Sequence, residues 1–129
     1  MKDNTAIILC GGRGTRLGAL GKKIPKTLIK VHNKEILWYI LKHLEINGFK
    51  NIILPLGFKG EQIKIFLKKN NNFGLNIITV NTGVKTNIGK RLSLISNKIK
   101  SKNFLLLNGD AIFKENLKKI YQNHCKKKL

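Results

Sequence analysis

Thr5-Ala6-Ile7-Ile8-Leu9-Cys10, running straight into Gly11-Gly12-Arg13-Gly14-Thr15-Arg16-Leu17, is the stretch that decides the fold. Its first half is a short, unbroken apolar run that stops at two glycines, the pattern of a strand covered on both faces. Its second half places three glycines within four residues. Backbone N–H groups can then approach an anion or a base edge without a Cβ in the way, and positive φ is accessible at low cost. A buried strand feeding such a turn is the start of an α/β layer structure with a ligand at the strand's carboxyl end.

Outward from that stretch, strands and helices alternate. Ile36, Leu37, Ile40, Leu41 and Leu44 recur at helical spacing, which predicts a helix over Glu35 to Asn47 ended by Gly48. Asn51 to Leu56 reads as a strand whose end is marked by Pro55, a residue without a ladder donor. A second helix is expected over Glu61 to Lys69 with Ile63, Phe66 and Leu67 inward, then a polar surface turn from Lys68 to Asn72 and a strand from Leu75 to Val80. The segment 81–91 reads as a loop entering an amphipathic stretch with Leu92, Leu94, Ile95 and Ile99. Phe104 to Leu107 is a fourth core strand closed by Asn108-Gly109-Asp110. Leu117, Ile120 and Tyr121 suggest a last short helix. Strands separated by helices imply a mostly parallel sheet with right-handed crossovers, hence an α/β, Rossmann-like, three-layer fold.

The chain has 129 residues, 42% of them apolar, which is material for one core and one domain: residues 1–125, with a basic tail over 126–129. Met1-Lys2-Asp3-Asn4 is followed by too few apolar residues for a secretory signal, and no run approaches the ~18 apolar residues of a membrane span. The expectation is a soluble, cytoplasmic protein without a membrane partner. Cys10 and Cys125 are far apart, so they read as a core thiol and a surface thiol. His32, His43 and His124 show no metal spacing, and no serine or cysteine stands in a nucleophile arrangement. Trp38, Tyr39 and Phe66 lie on or beside apolar helix faces and read as core. The formal charge of +20 raises the question of nucleic acid. Only three of the 26 basic residues, Arg13, Arg16 and Arg91, are arginines. The lysines are spread over every surface with no stacking aromatics among them, so nucleic acid is not the expected partner. The charge would still draw in anionic small molecules.

Three unusual loops follow strand ends and converge on one rim. Arg16 and Lys26, the latter behind the rigid Pro25, could neutralise charge on a phosphate chain. The dinucleotide fingerprint fails because Leu17 stands where a sixth-position glycine is needed, and no Walker spacing is present. Asp110 closes a strand on the same rim, where a carboxylate suits a hard divalent cation bridging phosphate oxygens; it is also readable as a simple turn or helix-start residue.

Gly-Gly-x-Gly-Thr-Arg-Leu, seven further residues and then Pro-Lys resembles the signature of the sugar-phosphate nucleotidyltransferases, and the likeness extends over nearly the whole chain. The resemblance implies the nucleotide-diphospho-sugar transferase type of Rossmann-like sheet. It further implies that Gly11, Gly12, Gly14 and Thr15 hold a nucleoside triphosphate, that Arg16 and Lys26 act on its phosphates, and that Asp110 beside Gly109 binds Mg²⁺. Ile36-Leu37-Trp38-Tyr39-Ile40, Gly57-Phe58-Lys59-Gly60 and Thr82-Gly83-x-x-Thr86-x-x-Gly89-x-Arg91 look like the glucose-1-phosphate cytidylyltransferase branch. Thr82, Gly83, Thr86, Gly89 and Arg91 are then candidates for the base pocket and phosphates, although the same loop reads as a turn and helix start capped by Thr86 or Asn87. Leu107-Asn108-Gly109-Asp110 is equally similar to hexose and heptose guanylyltransferases, and a long insertion usual in the cytidylyltransferase branch is absent. The implied reaction joins a nucleoside triphosphate to a sugar 1-phosphate in the supply of nucleotide sugars for surface polysaccharide. Catalytic domains of this family run beyond 200 residues, so the resemblance implies a chain lacking the later half with the sugar pocket and a second metal-binding aspartate. A second chain, a homo-oligomer or a nucleotide-binding remnant without turnover are the corresponding expectations.

Overall fold

The computed structural model describes residues 4–10, 23–112 and 114–127. Its centre is a four-stranded parallel sheet of β1 (Thr5–Leu9), β4 (Asn51–Leu56), β5 (Asn76–Asn81) and β6 (Phe104–Asn108), in the order β5-β4-β1-β6. The apolar run of β1 sits in the middle, with Thr5 opposite both Asn51 and Phe104 and Leu9 opposite Asn108. A small antiparallel hairpin, β2 (Lys30–Val31) and β3 (Lys34–Glu35), lies ahead of the first described helix. Four α-helices are described: α1 (Ile36–Ile46), α2 (Gly60–Lys69), α3 (Ile88–Ile95) and α4 (Leu117–Lys126).

Period-two alternation distributes the strand residues between two layers. Ala6, Ile8, Ile52, Leu54 and Leu56 pack with α1, α2 and α4 in the larger core. Ile7 and Ile53 turn to the opposite face and meet Ile95 of α3, with Val80, Leu92 and Ile99 around them. The three-layer expectation is therefore met, with unequal layers. On the α3 side Leu106, in register with Ile7, is 42% exposed, and Phe104 is 40% exposed. Among the described residues no helix is long and apolar enough to cross a membrane.

Several details depart from the sequence reading. Pro55 does not end the strand but lies inside β4, opposite Val80 of β5, and beyond the β1–β4 ladder, which reaches only Ile53. Leu94, counted to the amphipathic stretch, and Ile120, counted to the last short helix, are 45% and 49% exposed, because each helix buries only a narrow stripe: Arg91 and Ile95 in α3, Leu117 and Tyr121 in α4. The β2–β3 hairpin was not foreseen. Its turn is His32-Asn33, both at positive φ, 52° and 72°. Asparagine tolerates that region and suits a two-residue hairpin turn. Lys126 is the last residue of α4, and residues 128–129 of the expected tail lie outside the described residues.

Side chains of modest size tie the layers together. Asn47 donates to the carbonyl of His43 at 2.8 Å and accepts from the Lys118 amide at 3.1 Å, linking α1 to the start of α4. Phe49 is fully buried and packs edge-on against Tyr121 at 5.1 Å between ring centres. Cys10 is buried and Cys125 exposed, matching the two expected environments.

Candidate functional site at the switch point

The chain leaves β1 for β4 on one side, continues outward to β5, and then crosses back to place β6 on the other side of β1. Ligands of open α/β sheets bind at such a reversal, outside the carboxyl ends of the strands. A cleft of about 590 Å³ opens there, lined by Leu9 and Cys10 after β1, Lys26 and Thr27, residues 84–88 and Arg91, and Asn108, Gly109 and Asp110 after β6. The glycine turn itself, with Gly11, Gly12, Arg13, Gly14, Thr15 and Arg16, lies outside the described residues.

Two adjacent pairs of residues form one wall. Lys26 and Thr27 belong to a single 3₁₀ turn, Lys26–Leu28, entered from extended Pro25 and closed by the Leu28 amide on the Pro25 carbonyl at 3.0 Å. Gly109 and Asp110 follow β6. The Gly109 amide donates to the Leu9 carbonyl at 3.0 Å, continuing the β1–β6 ladder past the strand. A Cβ on Gly109 would stand 2.8 Å from that carbonyl oxygen, 3.2 Å from Thr27 Oγ1 and 3.3 Å from Cys10 Sγ. Close approach, not an unusual φ, is therefore what calls for glycine here. The neighbours of this contact meet above it: Lys26 Nζ lies 3.1 Å from Asp110 Oδ2, both side chains about half exposed. Such an exposed pair contributes little to stability, ~1 kcal/mol or less. Beneath them the Cys10 thiol is pushed up to about 12, chiefly by burial and slightly opposed by the Thr27 hydroxyl. It stays protonated at neutral pH and is no nucleophile.

The opposite wall is the segment 82–91, and Arg91 holds it. Its Nε donates to the Thr86 carbonyl at 2.9 Å, one Nη to Thr82 Oγ1 at 2.7 Å and the other to the Val84 carbonyl at 3.1 Å. The side chain is buried, and burial lowers its pKa from the ordinary guanidinium value. Thr82 is also buried; its amide and hydroxyl both donate to the Leu56 carbonyl, at 2.8 and 2.9 Å, joining the loop to the end of β4. The Thr86 hydroxyl donates back to the Thr82 carbonyl. Gly83 stands at φ 88°, and a Cβ there would be 2.9 Å from Thr86 Oγ1. Asn87 caps α3 by accepting from the Lys90 amide at 2.8 Å.

The structure thus brings Lys26, Thr86, Arg91, Gly109 and Asp110 to one cleft. Thr82 and Gly83 shape the wall from behind without lining it, and Gly89 sits in the first turn of α3, where a Cβ would be in ordinary contact with Asn87 Oδ1 at 3.6 Å. The polar lining residues Thr27, Lys85 and Asn108 are among those the sequence does not assign to the site. Each is the chain neighbour of an expected site residue, and adjacency is the available signal. Among the described residues no group of three or more His, Cys, Asp or Glu could hold a metal ion, and Asp110 is the one carboxylate among the cleft's described lining residues. That donor set does not make a protein cage for a cation. It does fit magnesium held by one carboxylate together with phosphate oxygens and water.

The nucleotidyl transferase family profile matches residues 5–129, and the chain belongs to that family. It is 34% identical to the probable glucose-1-phosphate cytidylyltransferase of Bacillus subtilis and 31% identical to the D-glycero-alpha-D-manno-heptose 1-phosphate guanylyltransferase of Aneurinibacillus thermoaerophilus, with 92% of the chain covered in each case. It spans about half of those proteins, 55% and 51% of their lengths. Among solved structures, HddC from Yersinia pseudotuberculosis complexed with GMP-PN superposes with a TM-score of 0.81 at 26% identity, covering 95% of this chain and 54% of that one. A putative glucose-1-phosphate thymidylyltransferase from Bacillus anthracis shares the fold with a TM-score of 0.85 at 21% identity, over 95% of this chain and 50% of that one.

Proposed function

We propose that the chain is the nucleotide-binding part of a sugar-1-phosphate nucleotidyltransferase, taking a nucleoside triphosphate and a sugar 1-phosphate to a nucleotide sugar and pyrophosphate. The observation that carries this is the meeting of Lys26 and Asp110, 3.1 Å apart, at the switch-point cleft directly after β1. A cation and a carboxylate half open to solvent, at the end of the strand whose sequence runs on into Gly11-Gly12, form a site for a phosphate chain with its metal.

In this reading a phosphate oxygen of the sugar 1-phosphate attacks the α-phosphorus in line. The new P–O bond forms as the bond to pyrophosphate breaks, and pyrophosphate leaves with the electron pair. Asp110 would hold Mg²⁺, which would supply neutralising charge to the phosphates. The protein's part is positioning and electrostatics. Lys26 offers its ammonium to the phosphates, assisted by Arg16 and the amides of Gly11, Gly12 and Gly14. Gly109 keeps Asp110 against the β1 end. Thr86 faces the nucleotide, while Thr82, Gly83 and Arg91 hold that wall in shape. Gly89 starts α3 and is assigned no contact.

The cytidine nucleotide is the first choice, on the likeness to the Bacillus subtilis relative. Guanosine is the second reading, favoured by two heptose 1-phosphate guanylyltransferases, at 31% and 34% identity. A cytoplasmic place in nucleotide-sugar supply for polysaccharide follows from the same assignment. The test is pyrophosphate release measured over a panel of triphosphates and sugar 1-phosphates. Turnover with one pair supports the proposal. Folded protein that binds a triphosphate yet releases no pyrophosphate with any pair selects a nucleotide-binding role without turnover.

A further inference from the structure

We propose that Lys26 stands in for the divalent cation on Asp110 when no nucleotide is bound, so that the cleft accepts the metal as its complex with a triphosphate and discriminates against the free ion. This rests on the reading of the cleft as a triphosphate site. It adds which form of the ligand the cleft takes and which residue makes the choice.

The backbones under Lys26 and Asp110 cannot drift apart. Gly109 is packed without room for a methyl group against the Leu9 carbonyl, Thr27 Oγ1 and Cys10 Sγ, and Thr27 is bonded directly to Lys26. The exchange then requires movement of the charged heads alone. With Lys26 Nζ 3.1 Å from Oδ2, one carboxylate oxygen already faces a positive charge. Asp110 is also the sole carboxylate lining the described cleft, so a bare ion arriving there would find too few oxygen donors and a nearby ammonium. A unit charge about 4 Å from a dication in water, screened by ~0.1 M salt, lowers its affinity by on the order of tenfold. A metal–triphosphate complex reverses the sign. It is anionic, it brings its own phosphate oxygens to the metal, and it gives the ammonium a new partner. Lysine suits this exchange, since a compact charge on a flexible stem can swing from the carboxylate to a phosphate. The ion pair it leaves is half exposed and weak.

The experiment measures Mn²⁺ binding by electron paramagnetic resonance, with the full chain and with Lys26→Met, in the absence and presence of a non-hydrolysable triphosphate. The expected result is a crossing. Without nucleotide, Lys26→Met binds Mn²⁺ on the order of tenfold more tightly than the parent. With nucleotide, it binds the Mn²⁺–triphosphate complex more weakly. Asp110→Asn should lose the gain, which assigns the ion to that carboxylate. Equal free-ion affinities in parent and Lys26→Met, with the parent still binding the metal–triphosphate complex, overturn the role of Lys26 and leave the nucleotide site standing. Absence of triphosphate binding by the folded parent overturns the reading of the cleft itself.

Discussion

Replacing Arg91 separates a residue that builds the cleft wall from one that grips ligand. Arg91→Met keeps most of the buried stem and removes, among others, the hydrogen bonds to Thr82 Oγ1, Thr86 O and Val84 O. Bonds to a charged group are worth about 1.5–3 kcal/mol each when one partner is deleted, but they do not add. Two of the acceptors are carbonyls at the cleft surface that regain water, and Thr82 keeps its own bond to Leu56 O. The variant is also freed from holding a desolvated guanidinium, the cause of its lowered pKa. The net loss is therefore ~2–3 kcal/mol, below the sum of the deleted bonds. At typical urea sensitivities this moves the unfolding midpoint down by about 1 M. Arg91→Lys should lose most of the same amount, because an ammonium cannot span three acceptors arranged for a planar fork. Urea unfolding followed by circular dichroism gives the midpoint, and hydrogen exchange reports the amides of residues 83–86. An unchanged midpoint with unchanged exchange in Arg91→Met would refute the clamp.

Three further outcomes follow from the same contacts. Gly109→Ala forces a methyl group to 2.8 Å from a backbone oxygen and should destabilise the chain by ~1–3 kcal/mol while weakening metal–triphosphate binding, read by chemical unfolding and calorimetry; neutrality in both would mean the wall tolerates a shift. Gly83→Ala combines positive φ with a 2.9 Å approach to Thr86 Oγ1 and should lose ~1–3 kcal/mol, with urea unfolding as the check. Cys10 should resist iodoacetamide at neutral pH while Cys125 reacts, read by peptide mass spectrometry. Because the folded Cys10 pKa of about 12 lies above its ordinary value of 9.0, this thiol's contribution to stability is complete below pH 9 and is lost as pH rises from there towards 12; equal labelling of both cysteines would contradict the burial that causes it.

The sequence disclosed the sheet because its strands are buried on both faces. Unbroken runs such as Ile7-Ile8-Leu9 and Ile52-Ile53-Leu54 have few other uses, and their separation by helical patterns implies parallel pairing. It disclosed the rim for a related reason: glycines and a lone aspartate directly after strand ends, together with Pro25-Lys26, have constrained chemistry. What it hid was whatever depends on long-range packing. The three acceptors that Arg91 meets lie on a loop folded back over it, and no periodicity marks that fold. Gly109 carries no positive φ that would flag it; its need for glycine comes from Thr27 and Cys10, brought there by other segments. Leu94 and Ile120 belong to the apolar pattern, yet α3 and α4 each bury too narrow a stripe to include them. The His32-Asn33 hairpin is legible only after positive φ at both residues is known.

The central claim is that the switch-point cleft grips a triphosphate together with a divalent cation. Calorimetric titration of the folded chain with CTP and GTP, in Mg²⁺ and in chelator, tests it most directly. The account predicts magnesium-dependent binding of at least one of them that is sharply weakened by both Lys26→Met and Asp110→Asn. Affinity that ignores magnesium, or survives both substitutions unchanged, would contradict it.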